Sequence, residues 1–103
     1  MSPKFDINEY IQSLPLDTRH ITISFRELEY VPSLARFLQL NTFNCEFNYL
    51  TSLPELPASV KYIYCCMNKL RGLPTRLPPG LVFMSCARNL ITELPKALPL
   101  SLA

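Results

Sequence analysis

The dipeptide Leu-Pro recurs along this chain at a nearly fixed spacing. Its three aligned copies begin at Leu53, Leu73 and Leu94, and an asparagine precedes each copy by the same short interval, at Asn48, Asn68 and Asn89. A unit of this length is too short to bury its own apolar face, so we expect it to stack on copies of itself in a solenoid. Solenoids present extended surfaces, which favours binding over catalysis.

Length and composition set the outer limits. The chain has 103 residues and is 49% hydrophobic, which suits one domain over 1–103 with one core. A net charge of +2, without a run of like charges, gives no indication of a nucleic-acid partner. No apolar stretch reaches the length of a membrane span, and the N-terminus lacks a secretory signal. We therefore expect an intracellular, cytoplasmic protein, with a virion or a host cell as alternatives.

Three segments of equal length align on the asparagine: 40–50, 60–70 and 81–91. Each segment has an apolar residue at positions 1, 4 and 11, cysteine at position 6 and asparagine at position 9. A fourth, degenerate copy lies upstream, where Arg26 stands in place of the asparagine, one repeat before Asn48. Terminal repeats are commonly atypical because they lack a neighbour on one side.

This pattern resembles the leucine-rich repeat, L-x-x-L-x-L-x-x-N-x-L, with cysteine in place of the central leucine. The short period and the L-P-x-L-P tail are similar to the bacterial-type subfamily of secreted effectors and large DNA viruses. The resemblance covers about residues 14–103. It implies a parallel β-sheet on the concave face and extended, polyproline-II segments on the convex face. The expected units are a degenerate first repeat, three full repeats and a truncated one: 14–32, 33–54, 55–74, 75–95 and 96–103.

The N-terminal segment 3–13 has a helical pattern instead. Its apolar residues have helical spacing: Ile7, Tyr10, Ile11 and Leu14. Asp6 followed by Glu9 matches a capping box. We predict a short helix that covers the open end of the first strand, with a targeting or docking helix as the alternative.

Strand geometry assigns directions to the repeat positions, because successive side chains point to opposite faces. Positions 4 and 6 should face the core, which gives an apolar set and a structural cysteine column: Phe43, Ile63, Met84, and Cys45, Cys65, Cys86. The asparagines at position 9 should turn inward and form a hydrogen-bonded ladder: Asn48, Asn68 and Asn89. The leucines of the proline-rich segments should also face inward: Leu53, Leu56, Leu73, Leu77, Leu94 and Leu98.

Positions 3, 5, 7 and 8 should point outward, and several of them are not polar. We expect Tyr62, Tyr64 and Phe83, here called the aromatic cluster, to be exposed and to contact a partner. Two interpretations stay open for Phe25, Phe47 and Met67 at position 8, here called the turn stripe. The favoured one places them partly in the turn as core, and the other makes them a partner-binding stripe. Glu46 and Arg88 complete the predicted protein-binding surface.

The residues give little support for a chemical site. The cysteine column should be a buried stack of small apolar groups, and neither a C-x-x-C pair nor a second histidine beside His20 is present. We predict no metal and no cofactor. Cys66 should face outward, where a reactive thiol is the less favoured interpretation. A catalytic triad is not expected with one histidine, and the C-x-D motif of related ubiquitin ligases is absent.

Three functions compete on these grounds. The first is a non-enzymatic scaffold that holds a partner protein on its concave face or at the open C-terminal edge of its sheet. The second is a structural subunit incorporated in a large assembly such as a virus particle. The third is the substrate-recognition part of a larger effector whose catalytic domain is absent from this sequence.

Overall fold

The computed structural model of the chain describes residues 6–72 and 77–90. A short helix, α1 (Ile7–Ser13), is followed by four strands of three residues each: β1 (His20–Thr22), β2 (Thr42–Asn44), β3 (Tyr62–Tyr64) and β4 (Phe83–Ser85). The strands form one parallel sheet in the order β1-β2-β3-β4. The predicted leucine-rich repeat solenoid is confirmed, with the sheet on its concave face. The predictions for residues 3–5, Leu73, Leu94, Leu98 and the truncated repeat 96–103 lie outside the described residues.

The strand register repeats the spacing of the sequence. His20 pairs with Thr42, Thr42 with Tyr62, and Tyr62 with Phe83. The intervals between these partners along the chain equal those that separate Arg26 and the three aligned asparagines in turn. Equivalent residues therefore stand beside each other in columns that run across the sheet. In a parallel sheet about 4.8 Å separates neighbouring strands, so each column is a row of identical positions at that interval.

The core lies between the sheet and the convex segments. The central residue of each of the first three strands is fully buried, namely Ile21, Phe43 and Ile63, whereas Met84 in β4 is half-buried. Position 1 and position 11 close the core on either side of each strand, with these side chains buried: Leu40, Val60, Leu81, Leu50 and Leu70. Burial of this kind stabilises the fold by about 1.5–3 kcal/mol for each large apolar side chain.

Prolines contribute as much to the convex wall as leucines do. Pro54, Pro57 and Pro78 are buried, while Leu53 and Leu56 are half-buried and pack against the core. The carbonyl groups of Pro57 and Pro78 accept hydrogen bonds from the amides of Val60 and Leu81, which begin the next strand segments. Proline fixes φ and lacks an amide donor, so it lines an extended wall without leaving a buried N–H group unpaired. Leu77 is also buried, as predicted from its place in the repeat.

Helix α1 covers the end of the core beside β1. Its N-cap is Asp6, whose Oδ1 accepts a hydrogen bond from the Glu9 amide at 3.1 Å. Ile7 and Ile11 are buried in the main core. The Arg36 guanidinium, from the first convex segment, donates to the Ile11 carbonyl at 2.6 Å. The predicted capping helix is therefore present and is fastened to the solenoid at both its apolar face and its C-terminal end.

Candidate protein-binding surface

The two faces of the short strands differ in burial, because one faces the core and the other is the concave surface. In each strand the central side chain points into the core, so the first and third residues point to the concave face. The described concave positions 3 and 5 hold two columns: His20, Thr42, Tyr62, Phe83, and Thr22, Asn44, Tyr64, Ser85. None of these residues carries a formal charge at neutral pH when His20 is neutral. The sheet therefore presents a largely uncharged surface that becomes aromatic toward β3 and β4.

The asparagines of position 9 hold successive turns together. The Asn68 Oδ1 accepts from the Leu50 amide at 3.0 Å, and its Nδ2 donates to the carbonyls of Cys45, Cys65 and Cys66 at 2.9, 3.2 and 3.3 Å. Asn89 repeats this arrangement one turn later with the Leu70 amide. Asn48 and Asn68 are buried, so these amides satisfy backbone groups that water cannot reach.

The first turn has no asparagine of its own and relies on the next repeat. Arg26 occupies the equivalent position, and its backbone amide donates to the Asn48 Oδ1 at 3.1 Å. The Leu28 amide donates to the same oxygen at 3.0 Å. The Asn48 Nδ2 donates to the carbonyls of Ile23 and Cys45 at 3.0 Å each. One side chain therefore organises two turns, which explains how the degenerate first repeat keeps the strand register.

The cysteines at position 6 lie behind the sheet. Cys45 and Cys65 are fully buried, and Cys86 is half-buried in the last described turn. Burial raises the pKa of the Cys45 thiol to about 12, with a smaller contribution from the Glu46 carboxylate. Burial also raises the pKa of Cys65 and Cys86 above the ordinary value. Burial thus favours the protonated thiols, which suits packing as small apolar groups.

The aromatic cluster lies at the β3–β4 end of the concave face. Phe83 is 46% exposed, while Tyr62 and Tyr64 are half-buried against their neighbours. The rings of Tyr64 and Phe83 are tilted by 42° with centroids 5.5 Å apart. The two rings therefore contact each other across the β3–β4 pair. Tyrosine and phenylalanine held in this way provide contact area at a small cost in conformational entropy.

The turn stripe is exposed, so its favoured assignment to the core is wrong. Phe25 is 69%, Phe47 41% and Met67 37% exposed. The rings of Phe25 and Phe47 stack with centroids 4.3 Å apart and an interplanar angle of 11°. The stripe runs across the strands, and Arg88 continues its column beyond Met67.

The backbone conformation of the turn explains this exposure. The side chains at position 8 all stand on a backbone with left-handed φ angles: Phe25 58°, Phe47 59°, Met67 60° and Arg88 58°. This conformation reverses the chain after the strand, so the residue at position 9 turns inward and the one at position 8 turns outward. It costs roughly 1–2 kcal/mol for a side chain with a Cβ atom. Glycine and asparagine tolerate it best, so the backbone of these turns does not by itself favour large apolar residues.

Charges on the turns after the strands are divided along the solenoid. The turns after β1 and β2 carry three carboxylates and one guanidinium: Glu27, Glu29, Glu46 and Arg26. The described turns after β3 and β4 carry only cations, at Lys69, Arg71 and Arg88. Except for the half-buried Glu46, these side chains are exposed. The turn stripe therefore has an acidic end and a basic end.

Two shallow grooves lie near these turns. One has a volume of about 400 Å³ between α1 and the first turn, where Asp6, Arg26 and Tyr30 contribute to its lining. The other, of about 590 Å³, is lined by Glu29, Tyr49, Thr51 and Lys69. The Lys69 ammonium lies 5.2 Å from the centre of the Tyr49 ring, which holds both side chains over this groove. Both grooves are bordered by polar and charged groups and differ from the deep apolar pockets that small molecules occupy.

The described residues contain little that catalysis would need. Across 6–72 and 77–90, no three His, Cys, Asp or Glu side chains are placed to hold a metal ion. The Cys66 Sγ lies 2.5 Å from the Ser85 Oγ on the concave side. Cys66 follows β3, whereas His20 lies in β1 at the far edge of the sheet. Within the same part of the chain, no helix is long and apolar enough to cross a membrane.

Comparison with known proteins supports the fold. No protein-family model matches the chain, and no curated protein matches it significantly. Among solved structures, the leucine-rich repeat domain of a Shigella effector superposes with a TM-score of 0.59 at 26% sequence identity. The match covers 93% of this chain and 50% of the Shigella chain, so this chain spans about half the length of that neighbour. The chain therefore has the fold of a small leucine-rich repeat solenoid and is similar in architecture to the leucine-rich repeat domain of that effector.

Proposed function

We propose that this chain is a non-enzymatic scaffold that binds a partner protein on its strand side. The observation that carries the proposal is that the aromatic cluster and the turn stripe both leave large apolar side chains exposed outside the core. Charged residues of the turns flank the stripe. Exposed apolar patches of this kind mark interaction sites in proteins.

The physical cost of this surface supports the proposal. Phe25, Phe47 and Met67 occupy backbone conformations that favour glycine or asparagine, and their side chains are exposed. In a sequence adapted only for folding, asparagine at these positions would avoid both the strain of the left-handed backbone and the exposure of an apolar side chain. The buried, protonated thiols behind the sheet suit a packing role, so binding is the function that the surface serves best.

The partner-facing residues proposed here are those expected from the sequence. Tyr62, Tyr64 and Phe83 would be the central anchors, because aromatic side chains dominate the binding energy of interfaces. The other contacts would come from these residues along the turns: Phe25, Glu46, Phe47, Met67 and Arg88. The asparagine ladder and the cysteine column would support this surface from behind by fixing the turns and the strands.

A structural role in a larger assembly is the second candidate, and the edge of β4 favours it. In the described residues β4 pairs only with β3. The amides of Cys45 and Cys65 donate to the next strand, at 2.8 and 2.9 Å, whereas no described residue accepts such a bond from the equivalent amide of Cys86. An edge strand of a sheet can pair with a strand from another protein.

Photo-crosslinking from opposite sides of the solenoid tests the proposed function. A benzophenone amino acid at Tyr64 reports on the concave face, and one at Leu38, which is 76% exposed on the convex side, is the matched control. The experiment uses lysate of the cells that naturally make the protein and identifies adducts by mass spectrometry. We expect one discrete adduct from position 64, lost when Tyr62 and Phe83 are changed to serine. Equal adducts from both positions would overturn the proposal.

A further inference from the structure

The turn stripe and its charged ends define the shape and polarity of a ligand. Phe25, Phe47 and Met67 lie in the turns after adjacent strands, and the ring centroids of Phe25 and Phe47 are 4.3 Å apart. At about 4.8 Å for each strand interval, the column from Phe25 to Arg88 is about 14 Å long. A ligand that contacts every member needs apolar side chains that recur at nearly this interval.

An α-helix meets this requirement better than an extended peptide does. Side chains three and four residues apart lie on the same helix face and rise by about 4.5 and 6 Å. In a β-strand, alternate side chains on one face are about 6.8 Å apart, so they lose register with the stripe after one step. A polyproline-II helix repeats every three residues, about 9.3 Å, and would contact only every second member.

The charges at the two ends of the stripe also suit a helix. Glu27, Glu29 and Glu46 lie at the Phe25–Phe47 end, and their charge exceeds that of the nearby Arg26. Arg71 and Arg88 lie at the other end, together with Lys69, which borders one groove with Glu29. The N-terminus of a helix carries a partial positive charge and its C-terminus a partial negative one. A helix with its N-terminus over the glutamates and its C-terminus over the basic residues has favourable electrostatic contacts at both ends of the stripe.

We propose that the turn stripe docks one amphipathic α-helix of a partner protein, which lies across the strands with its N-terminus over the turn after β1 and its C-terminus over Arg88. This inference rests on the proposed binding function and specifies the ligand for one part of the surface. About ten helical residues cover the column of about 14 Å. The helix presents apolar side chains at i, i+3 or i+4, and i+7, with basic residues near its start and acidic residues near its end.

A defined peptide tests this proposal without the natural partner. The probe is a helix of about five turns, held helical by a side-chain staple on its polar face, with leucines at the spacing above, lysines in the first turn and glutamates in the last. One control has the same composition with charges mixed evenly along its length. A second control carries two central prolines, which break the helix. Fluorescence anisotropy with the full chain gives the three affinities.

We expect the probe to bind at least ten-fold more tightly than either control, with the advantage over the mixed-charge peptide shrinking at high salt. A spin label at the N-terminus of the probe should broaden NMR signals of residues 25–29 more than that of Arg88. Comparable binding by the proline peptide, an inverted label pattern or no measurable binding of the probe would each overturn the proposal.

Variants of the protein locate the binding. Phe47→Asn and Met67→Asn remove the apolar groups while asparagine tolerates the left-handed backbone, so both variants should stay folded. We expect each to weaken probe binding at least five-fold, and Leu38→Asn, on the convex side, to leave it unchanged. Unaltered affinity in both stripe variants would contradict the proposal. If the probe fails while crosslinks from position 64 persist, the proposed function stands and the helical ligand is wrong.

Discussion

At the residue scale, the buried asparagine side chains provide hydrogen-bond partners for the backbone of the turns. Asn68 has an amide whose oxygen and nitrogen together serve the turns of two repeats. Because it is buried, its removal leaves the Leu50 amide without its acceptor and takes one of the donors from each of three carbonyl groups. An unsatisfied buried group of this kind costs about 1–3 kcal/mol.

The first prediction therefore concerns Asn68→Ala. We expect it to lower the free energy of unfolding by about 2–5 kcal/mol, measured by urea denaturation followed by circular dichroism. Asn44→Ala is the matched control, because the Asn44 side chain accepts from the Glu46 amide and lies half-buried on the concave face. It should cost less than about 1 kcal/mol. Similar losses for the two variants would contradict the proposed ladder.

The buried thiols give a second prediction, in alkaline solution. In the unfolded chain a thiol ionises near its ordinary pKa of 9.0, whereas burial holds the pKa of Cys45 at about 12 in the folded state. A raised folded pKa stabilises the fold fully below pH 9 and loses that contribution as the pH rises toward 12. Each such thiol should therefore lower stability by up to about 1.4 kcal/mol per pH unit in this range.

The pH series compares unfolding free energies of the parent chain with those of Cys45→Ala. Tyrosines and lysines also titrate in alkaline solution, so the informative quantity is the difference in slope between the two proteins. Cys45→Ala should have a shallower decline than the parent chain. Parallel curves for the parent and Cys45→Ala would show that Cys45 is accessible to water.

At the element scale, each repeat contributes a strand, a turn and an extended convex segment. The first convex segment departs from the proline-rich pattern and fills the wall with Phe37, which is fully buried. The Phe37 amide donates to the Leu34 carbonyl, and its carbonyl accepts from the Leu40 amide. Phe37 therefore occupies the place that Pro57 and Pro78 hold in the later repeats. In all three repeats the carbonyl of this residue accepts a hydrogen bond from the amide three residues later, just before the next strand.

Neighbouring residues Phe37 and Leu38 provide a third prediction. Phe37 is fully buried, while Leu38 is 76% exposed. Phe37→Ala should lower the free energy of unfolding by about 3–5 kcal/mol, because it leaves a cavity beneath the first repeat. Leu38→Ala should change it by less than about 0.5 kcal/mol. Thermal and urea unfolding of both variants measure the contrast, and comparable losses would contradict the described convex wall.

The element scale also separates what could be predicted from sequence from what could not. The register was predictable because the Leu-Pro pairs and asparagines have a regular spacing, and a parallel sheet places equal positions side by side. The exposure of Phe25 and Phe47 could not be predicted in this way, because hydrophobicity alone indicates that a phenylalanine is buried. Only the left-handed backbone at position 8 turns these rings outward. Position 8 has no glycine, so the common turn residues do not indicate a turn at this place in the sequence.

At the scale of the whole molecule, the convex wall and the core behind it stabilise the fold, and the strand side is available for binding. The buried leucines and isoleucines of the described chain lie between the sheet and the convex wall, which includes the buried prolines. The strand side instead has aromatic rings, the turn stripe and a division of charge from acidic to basic. In a repeat fold these outward positions can vary without altering the core, so they determine what is bound.

Binding on the strand side of the solenoid can be tested by hydrogen–deuterium exchange, with and without a saturating amount of the protein crosslinked at position 64. We expect slower exchange in peptides that contain Tyr62–Tyr64 and the turns around Phe47 and Met67, with no change around Arg36 and Leu38. Protection confined to the convex segment would contradict it.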